Sequence, residues 1–423
     1  MTTHSYRYRL YPDEKQKDRL EQTLDTCRNL YNHLLEEAKD NPFINKTTQQ
    51  NKLPDLKKDW TELQDVHSKV LQMVNNRLHS NISRLEEDDG IENQAQAVDR
   101  LRYKGKGWYK SFTYNQSGFD LIETDDRLDK LYLSKIGEIP IRYHREIPDN
   151  AEVKEVTLKR YSSGHWYSIF LLEFDSTPRK PSVEDIEVKD CVGIDVGITN
   201  YVFDSDKLSV GSLDVSQELD RLKKEQRNLS RKERGSNNWE KQRKKLAQVH
   251  ENIRNKRDDF LHKLSTYYVE NYDVVAVEDL NITQMKESES STRNKNVSHS
   301  AWGRFIEMLE YKAEKAGTHL VKVEPQGTTK ECAECGCETE KELWVREHSC
   351  PSCGYTADRD YNASRNVLQR GLNELGLGQA EVTPVDTPAS VGAASSSTTT
   401  VSASRVVDAG SPFLMSRKIG DSR

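Results

Sequence analysis

The stretch from Cys332 to Asn366 reads CAECGCETEKELWVREHSCPSCGYTADRDYNASRN, and the organisation of the second half of the chain follows from it. It contains two C-x-x-C pairs with 14 residues between them, formed by Cys332, Cys335, Cys350 and Cys353. Four thiolates at this spacing are typical of a closed, structural zinc site. Asp360 follows seven residues after the last cysteine, at the predicted N-cap of a helix. We therefore expect a small zinc ribbon that leads directly to a carboxylate.

Three other features of this stretch bear on the zinc site. Cys337 is a fifth thiol, close enough in sequence to compete with Cys335 for the metal. His348 is an alternative ligand, although we expect it to be a surface residue. Gly336 and Gly354 come directly after the two pairs, where a positive φ is often required.

Composition describes a soluble and highly charged chain of 423 residues, of which 31% are charged. No apolar run approaches the ~18 residues of a membrane-spanning helix. The N-terminus lacks the apolar segment of a secretory signal. We therefore expect a cytoplasmic protein with no membrane partner. Five of the seven cysteines fall within 22 residues, which favours metal binding over disulfides.

The net charge of -6 conceals a strongly basic segment between Arg221 and Arg257. This segment has 14 Lys and Arg residues against four Asp and Glu residues, a local excess of ten positive charges. A charge run is most often a solvated helical face. An excess of this size nevertheless favours contact with a phosphate backbone, and we expect a nucleic-acid partner.

The first 180 residues combine strand and helix patterns. Residues 5–11 alternate as a strand, Asp13 is a candidate N-cap, and apolar residues then recur at helical spacing through residue 91. Short alternating runs up to Glu173 predict antiparallel strands. We predict a β-barrel domain formed by residues 1–13 and 100–180, with a helical insertion at 14–99.

The second half predicts three buried strands and several helices. The first strand begins at Cys191, and a meander follows it. The second and third strands are predicted at 271–281 and 318–325. We expect a nuclease-type domain at 191–331 and 354–371, with the zinc ribbon inserted at 332–353. Residues 282–300 are expected to form a mobile loop, and the tail at 372–423 is expected to be disordered. The order strand, meander, helix, strand, helix, strand, helix is that of an α/β RNase H-like fold.

Three carboxylates occupy the positions at which this fold carries its acids. Asp195 and Glu278 end two of the buried strands, and Asp360 begins the last helix. Each alone has an ordinary explanation as a turn, a solvated strand end or a cap. Together they predict a site for Mg²⁺ or Mn²⁺, because these ions prefer carboxylate ligands. Two such ions about 4 Å apart can promote phosphodiester hydrolysis.

These motifs carry a family resemblance. GIDVGITN, VAVEDLNI and the ribbon leading to YTADRDYNASRN resemble the three RuvC motifs and nested zinc ribbon of the TnpB (OrfB-type) transposon-encoded proteins. These proteins are relatives of the compact type V CRISPR effectors. The N-terminal YRLYPDEKQ, the patch YKSFTYNQSGF and LAQVHENIRNKRDDFLHKLS resemble the same family. The likeness spans about residues 5–371.

The resemblance implies an RNA-guided DNA endonuclease of a mobile element, with a wedge-like β-barrel, a helical recognition insertion and a RuvC nuclease domain. By motif, the implied catalytic acids and magnesium ligands are Asp195, Glu278 and Asp360, with Asp360 rather than Asp358 as the third acid. The four paired cysteines are the implied zinc ligands. The implied partners are a guide RNA from the element's own end and target DNA beside a short flanking motif.

Two alternatives remain open on the sequence. One is a DNA transposase or recombinase accessory protein that acts without RNA. The other is a non-catalytic DNA-binding regulator with a zinc ribbon, which needs no carboxylate triad.

Overall fold

The computed structural model describes residues 2–87, 90–91, 93–175, 178–280, 301–342, 344–377 and 398–403. The predicted mobile loop at 282–300 lies outside the described residues. The chain forms two units, one of Met1–Ser176 with Lys232–Gln248 and the other of Thr177–Arg231 with Val249–Arg423.

A seven-stranded antiparallel sheet organises the described part of the first unit, in the order β2-β6-β7-β1-β5-β4-β3. Its strands are β1 (Thr2–Leu10), β2 (Ser111–Asn115), β3 (Phe119–Ile122), β4 (Asp129–Leu133), β5 (Gly137–Arg142), β6 (Ala151–Arg160) and β7 (Trp166–Phe174). In β1 the alternating pattern buries Tyr6, Tyr8 and Leu10 on one face. Tyr8 packs edge-on against Phe170 of β7.

The sheet is nearly closed. Its two edge strands, β2 and β3, are consecutive in the chain, and hydrogen bonds join the two edges. The Tyr114 hydroxyl of β2 donates to the Ser134 carbonyl at the end of β4, at 2.7 Å. The Ser134 amide in turn donates to the Gly118 carbonyl, just before β3. These bonds bring the β2 edge to the β3–β4 edge, so the curled sheet predicted from the short alternating runs is observed.

Helices fill the interval between β1 and β2. They are α1 (Glu14–Asp40), α2 (Lys46–Asp59), α3 (Ser68–Glu86) and α4 (Gln94–Arg100), with a 3-10 turn at Thr61–Asp65. Asp13 is the N-cap of α1, as predicted. Its side chain accepts from the Gln16 amide, and the Gln16 side chain accepts from the Asp13 amide. The face of α1 predicted from its spacing is buried, namely Leu20, Leu24, Cys27, Tyr31 and Leu34.

The second unit contains a six-stranded sheet in the order β12-β11-β8-β9-β10-β15. Its strands are β8 (Cys191–Val196), β9 (Asn200–Asp204), β10 (Leu208–Gly211), β11 (Val274–Glu278), β12 (His319–Val323) and β15 (Thr399–Val401). Strands β8, β11 and β12 are parallel, whereas β9 pairs antiparallel with both β8 and β10. This arrangement confirms the RNase H-like order predicted from the sequence.

Four helices accompany this part of the chain, α5 (Ser216–Ser230), α6 (Asn237–Asn271), α7 (Trp302–Ala316) and α8 (Arg359–Glu374). Residues 231–236 separate α5 from α6, which begins at Asn237. None of these helices, nor any other in the described residues, is long and apolar enough to cross a membrane.

Helix α8 packs directly on the sheet because two glycines let the backbones approach. A Cβ at Gly193 of β8 would lie 2.3 Å from the Ser364 carbonyl oxygen. A Cβ at Gly371 would lie 2.6 Å from the Ala276 Cβ of β11. The helix therefore crosses β8 and β11 so closely that any side chain in place of Gly193 or Gly371 would clash.

The tail departs from the sequence prediction. Thr399–Val401 forms β15, parallel to β10, and Val401 is buried. The expected disorder of 372–423 is therefore wrong at these residues, and α8 also continues to Glu374. A three-residue strand gains its stability from pairing and burial, neither of which leaves a periodic signal in a Ser/Thr-rich sequence. Residues 378–397 and 404–423 lie outside the described part of the chain.

Candidate metal centres

The four paired cysteines form one cluster. Their sulfur atoms all lie within 4.8 Å of one another, although the two pairs are separated along the chain. The Cys332 and Cys353 sulfurs are 3.7 Å apart, and the Cys335 and Cys350 sulfurs are 3.6 Å apart. A disulfide requires about 2.05 Å. Zinc bound to sulfur at about 2.3 Å in a tetrahedron places the sulfurs about 3.8 Å apart, so the cluster fits zinc.

Local backbone geometry prepares these thiols for a cation. The backbone amides of Cys353 and Ser352 donate to the Cys350 sulfur and lower the pKa of that thiol to about 6. Gly336 and Gly354 have φ of 70° and 75°, as predicted. The chain therefore curls around each pair and directs backbone amides at the Cys335, Cys350 and Cys353 sulfurs, although hydrogen bonding among the thiols together with burial still raises the pKa of Cys335 and Cys353.

The two neighbouring candidates do not join the cluster. The Cys337 thiol contacts the Glu338 carbonyl at 3.7 Å instead. The expectation that His348 is a surface residue is wrong, because its side chain is fully buried. Its Nδ1 lies 2.5 Å from the Lys341 ammonium nitrogen, and the residue lies on β13 (Glu347–Ser349) opposite Ala357 of β14 (Thr356–Asp358) within the ribbon.

The three predicted carboxylates lie on β8, β11 and α8, which contact one another in the second unit. Asp195 lies on β8 one residue before its end, and Glu278 is the last residue of the adjacent parallel strand β11. Asp360 lies in the first turn of α8, which packs across both strands. Burial raises the pKa of Asp195 well above its usual range, and the charges of Glu278 and Asp360 raise it further. The carboxylates are thus close enough to repel one another.

Glu278 is the most enclosed of the three acids. It is 9% exposed, and burial raises the pKa of its carboxyl group. The Thr328 hydroxyl donates to its Oε1 at 2.5 Å. The Arg370 guanidinium opposes the rise in pKa and donates to the Glu324 and Gln326 carbonyls of the segment that carries Thr328. Helix α8 therefore fixes both the position and the hydrogen bonding of Glu278.

The structure corrects the role predicted for Asp360. Asp358 is the N-cap of α8, and its side chain accepts from the backbone amides of Asp360 and Tyr361. Asp360 lies two residues later, and its carboxylate is therefore not used for capping. It faces two guanidinium groups, from Arg346 at 3.3 Å and from Arg359 at 3.4 Å.

Several residues at this site were not found from the sequence. Three residues contact the acids or offset their charge: Thr328 after β12, Arg346 of the ribbon and Arg370 late in α8. None of them is part of a sequence motif that would have identified it. Arg346 precedes β13 by one residue, and it reaches Asp360 because β13 pairs with β14, which leads into α8. No sequence pattern therefore predicts this contact, which depends on the folding of the ribbon.

The residues present fit divalent cations in their chemistry. Carboxylates that repel one another at a partly buried position are stabilised by a doubly charged ion. The guanidinium groups around Asp360 and the hydroxyl on Glu278 supply only part of that compensation. The residue types at this site are therefore compatible with a divalent cation.

The basic segment is exposed, as a surface for nucleic acid requires. All 14 of its Lys and Arg side chains are exposed except those of Arg243 and Arg257, which are half-buried. Its α5 part contains no buried residue. Contact with a phosphate backbone remains a prediction for this segment.

Three family models match the chain. The model described as "Probable transposase" matches residues 176–289, and "Cas12f1-like, TNB domain" matches 302–367. A model described as "Helix-turn-helix domain" matches residues 1–41, which in this structure are β1 and the single helix α1.

Curated relatives match most of the chain. Two share the description "Putative RNA-guided DNA endonuclease". One, from Streptomyces pristinaespiralis, is 31% identical over 87% of this chain and 89% of its own length. The other, InsQ from Escherichia coli, is 32% identical over 66% of this chain and 70% of its own length.

Solved structures with a similar fold are more distant in sequence. The complex of Cas12f1 with guide RNA and target DNA matches with a TM-score of 0.53 and 14% identity, over 84% of this chain and 83% of that one. The mini-RNA-guided endonuclease CRISPR-Cas_phi3 matches with a TM-score of 0.50 and 8% identity, over 89% and 93%. At these identities the likeness concerns the fold.

Proposed function

We propose that this chain, which belongs to the TnpB (OrfB-type) family related to type V effectors, is an RNA-guided DNA endonuclease of a mobile element. The observation that carries the proposal is that Asp195 and Glu278 lie on adjacent parallel strands of an RNase H-like sheet and that the charges of Glu278 and Asp360 both act on Asp195. The two relatives described as RNA-guided endonucleases, aligned over most of their length, support the same activity.

The three acids are the proposed catalytic residues and ligands for Mg²⁺ or Mn²⁺. Two divalent cations at a carboxylate site promote the attack of water on a phosphodiester and stabilise the leaving oxygen. Asp195 and Glu278 project from adjacent strands that cannot shift independently. Thr328 orients the Glu278 carboxylate by its hydrogen bond. Asp360 is fixed by the close packing of α8 on Gly193.

The zinc ribbon has a positioning role in this proposal. Cys353 is five residues from Asp358, the cap of α8, and seven from Asp360. The same ribbon extends Arg346 to the Asp360 carboxylate. In the cation-bound protein, this guanidinium is available for a substrate phosphate, because Asp360 no longer needs it for neutralisation.

The proposed partners are a guide RNA derived from the element's end and a target DNA beside a short flanking motif. The exposed basic segment 221–257 is proposed to follow a nucleic-acid backbone. The solved complex of Cas12f1 with guide RNA and target DNA, which shares the fold, supports both classes of partner.

The test is cleavage of plasmid DNA by the purified protein loaded with its own RNA, in Mg²⁺. We expect Asp195→Ala to lower the cleavage rate by more than ~100-fold, because one of three ligands for the cations is lost. RNA binding and thermal stability should remain those of the unmodified protein.

Undiminished cutting by Asp195→Ala would exclude the carboxylates as the catalytic group. Specific cutting by protein freed of RNA with ribonuclease would favour a recombinase that acts without a guide. Tight DNA binding without any Mg²⁺-dependent cleavage would instead indicate a regulator.

A further inference from the structure

The segment between α4 and β2, residues 101–110, displays an aromatic residue on a basic background. From Arg100 to Phe119 the sequence contains five Lys and Arg residues and no Asp or Glu. Among residues 102–110 only Lys104 and Tyr109 are not exposed. Such a segment attracts a polyanion, since no carboxylate within it offsets the cations.

The base of this segment is held rigidly on α1. The Asn32 side chain donates to the Lys104 carbonyl at 3.0 Å and accepts from the Lys104 amide at 2.7 Å. At the other end Tyr109 is 6% exposed, with its ring 6.1 Å from that of Tyr31 and with the Arg77 guanidinium 5.0 Å above it. Both ends of the five residues 105–109 are thus anchored.

The tip of the segment presents Trp108 to solvent. The Trp108 amide donates to the Gly105 carbonyl at 3.1 Å, and Gly107 has φ of 82°, so the chain makes a tight turn. The indole lies over Gly105, where an added Cβ would be 3.4 Å from its Cδ1. It nevertheless remains 78% exposed, the most exposed of the large hydrophobic side chains in the described residues.

A tryptophan held on an anchored turn contributes little to the core, but it suits a partner with flat, apolar faces. Unpaired nucleobases present such faces, and stacking on aromatic side chains is the common way in which proteins bind them. Lys106 and Lys110, two residues before and after Trp108, are exposed and can contact the phosphates of such a strand. Because the turn is rigid before binding, little conformational entropy is lost.

We propose that Trp108 stacks on an unpaired base of the guide RNA, with Lys106 and Lys110 contacting the flanking phosphates. This inference rests on the proposed function, which supplies the RNA. RNA is favoured over the target DNA because folded RNA exposes unstacked bases in loops and bulges. Duplex DNA keeps its bases stacked until the strands separate.

The experiment measures the affinity of the full-length protein for its own RNA by fluorescence anisotropy at two salt concentrations. We expect Trp108→Ala to weaken binding by about 5- to 150-fold, the range for loss of one base–aromatic stack. Trp108→Phe should retain most of the affinity. The matched control is Phe43→Ala. Phe43 belongs to the same unit and is 74% exposed, but it lies outside residues 101–110. Lys106→Ala with Lys110→Ala should reduce the salt dependence, whereas Trp108→Ala should not.

Unchanged RNA affinity in Trp108→Ala, with Phe43→Ala also unchanged, would overturn the inference. Normal RNA affinity with a loss confined to DNA cleavage would assign Trp108 to the target strand and overturn it equally. An equal loss in Phe43→Ala would show that the effect is not specific to this site. Asp195→Ala separates the two proposals, because it tests cleavage without altering Trp108. RNA binding by that variant, whatever its cleavage, leaves this inference intact.

Discussion

The zinc ribbon and the carboxylate site are both candidate metal centres, but they are built in opposite ways. The ribbon takes its four ligands from 22 consecutive residues, whose turns direct backbone amides at the sulfurs. The carboxylate site takes its three proposed ligands from β8, β11 and α8, and the positions 195, 278 and 360 are separated by 83 and 82 residues. The first is specified by local sequence, and the second by the packing of the domain.

This difference shows where each site is vulnerable. The thiolates need only their own turns and a zinc ion. The acids need a helix laid directly across two strands, and that approach depends on Gly193 and Gly371. Asp360 belongs to both systems, because the ribbon leads into the helix that carries it. The most informative experiments therefore act where the two systems meet.

The largest effect is expected from Asp360→Asn, which should lower the DNA cleavage rate by more than ~100-fold. An amide is a poor ligand for Mg²⁺ compared with a carboxylate. The matched control is Asp358→Asn, two residues earlier. Asp358 accepts two backbone amides through Oδ1, and asparagine keeps that acceptor. The control should therefore cleave within a fewfold of the unmodified protein.

The opposite ranking of the two variants, measured as single-turnover rates at saturating Mg²⁺, would assign the third catalytic acid to Asp358. Equal losses in both would indicate that the whole turn, rather than one carboxylate, determines activity.

A smaller effect on cleavage is expected from Cys350→Ser, which removes one thiolate from the closed cluster. Bound zinc should fall from about one per chain towards zero, measured by atomic absorption. Cleavage should fall by about 10- to 100-fold, because the ribbon supports Asp358 and Arg346 without contacting the substrate's reacting atoms by itself. This is the outcome expected if the ribbon acts through position alone.

Cys337→Ser is the control, since that thiol lies outside the four-cysteine cluster and contacts the Glu338 carbonyl. It should retain zinc and activity. Loss of zinc in Cys337→Ser would show that five cysteines share the ion, and full activity of zinc-free Cys350→Ser would remove the ribbon from the mechanism.

Much of this architecture was predictable from local patterns. The cysteine spacing, the positive φ of Gly336 and Gly354, the Asp13 cap and the limits of α7 (Trp302–Ala316) all follow from a few neighbouring residues. The order of strands and helices then predicted the RNase H-like sheet. The turns, the cap and the helix limits are decided by interactions that are close in sequence, whereas the sheet was predicted from the order of its elements.

Contacts between distant segments could not be predicted in this way. The cap of α8 is Asp358 rather than Asp360, because both residues suit the position and the end of β14 decides between them. His348 is buried by the ribbon's own strand pair, and β15 forms only because β10 offers a free edge in the sheet. Arg346 and Arg370 reach the acids through tertiary packing.

A buried carboxylate that is not proposed to bind a cation provides a useful contrast. Asp204 ends β9, the strand beside β8, and its side chain is fully buried. The backbone amides of Asp206 and Leu208 and the Tyr268 hydroxyl all donate to it. Burial nevertheless raises the pKa of Asp204 to about 7, from an ordinary value near 3.8. The carboxylate of Asp204 is surrounded by hydrogen-bond donors. The proposed catalytic acids differ, because Asp195 lies near other carboxylates and Asp360 faces two guanidinium groups.

The smallest effect is therefore expected from Asp204→Asn, and only on stability. Because the folded-state pKa is raised, the stabilising contribution of the protonated carboxyl group is complete below pH 3.8 and is lost as pH rises towards 7. Between pH 5.5 and 8 the unmodified protein should lose roughly 2 kcal/mol relative to Asp204→Asn, which cannot ionise and can keep the amide acceptor. Thermal melting of both proteins across this range measures the difference in Tm. A difference that stays constant between pH 5.5 and 8 would mean that the folded-state pKa of Asp204 does not lie in this range, and it would contradict the prediction.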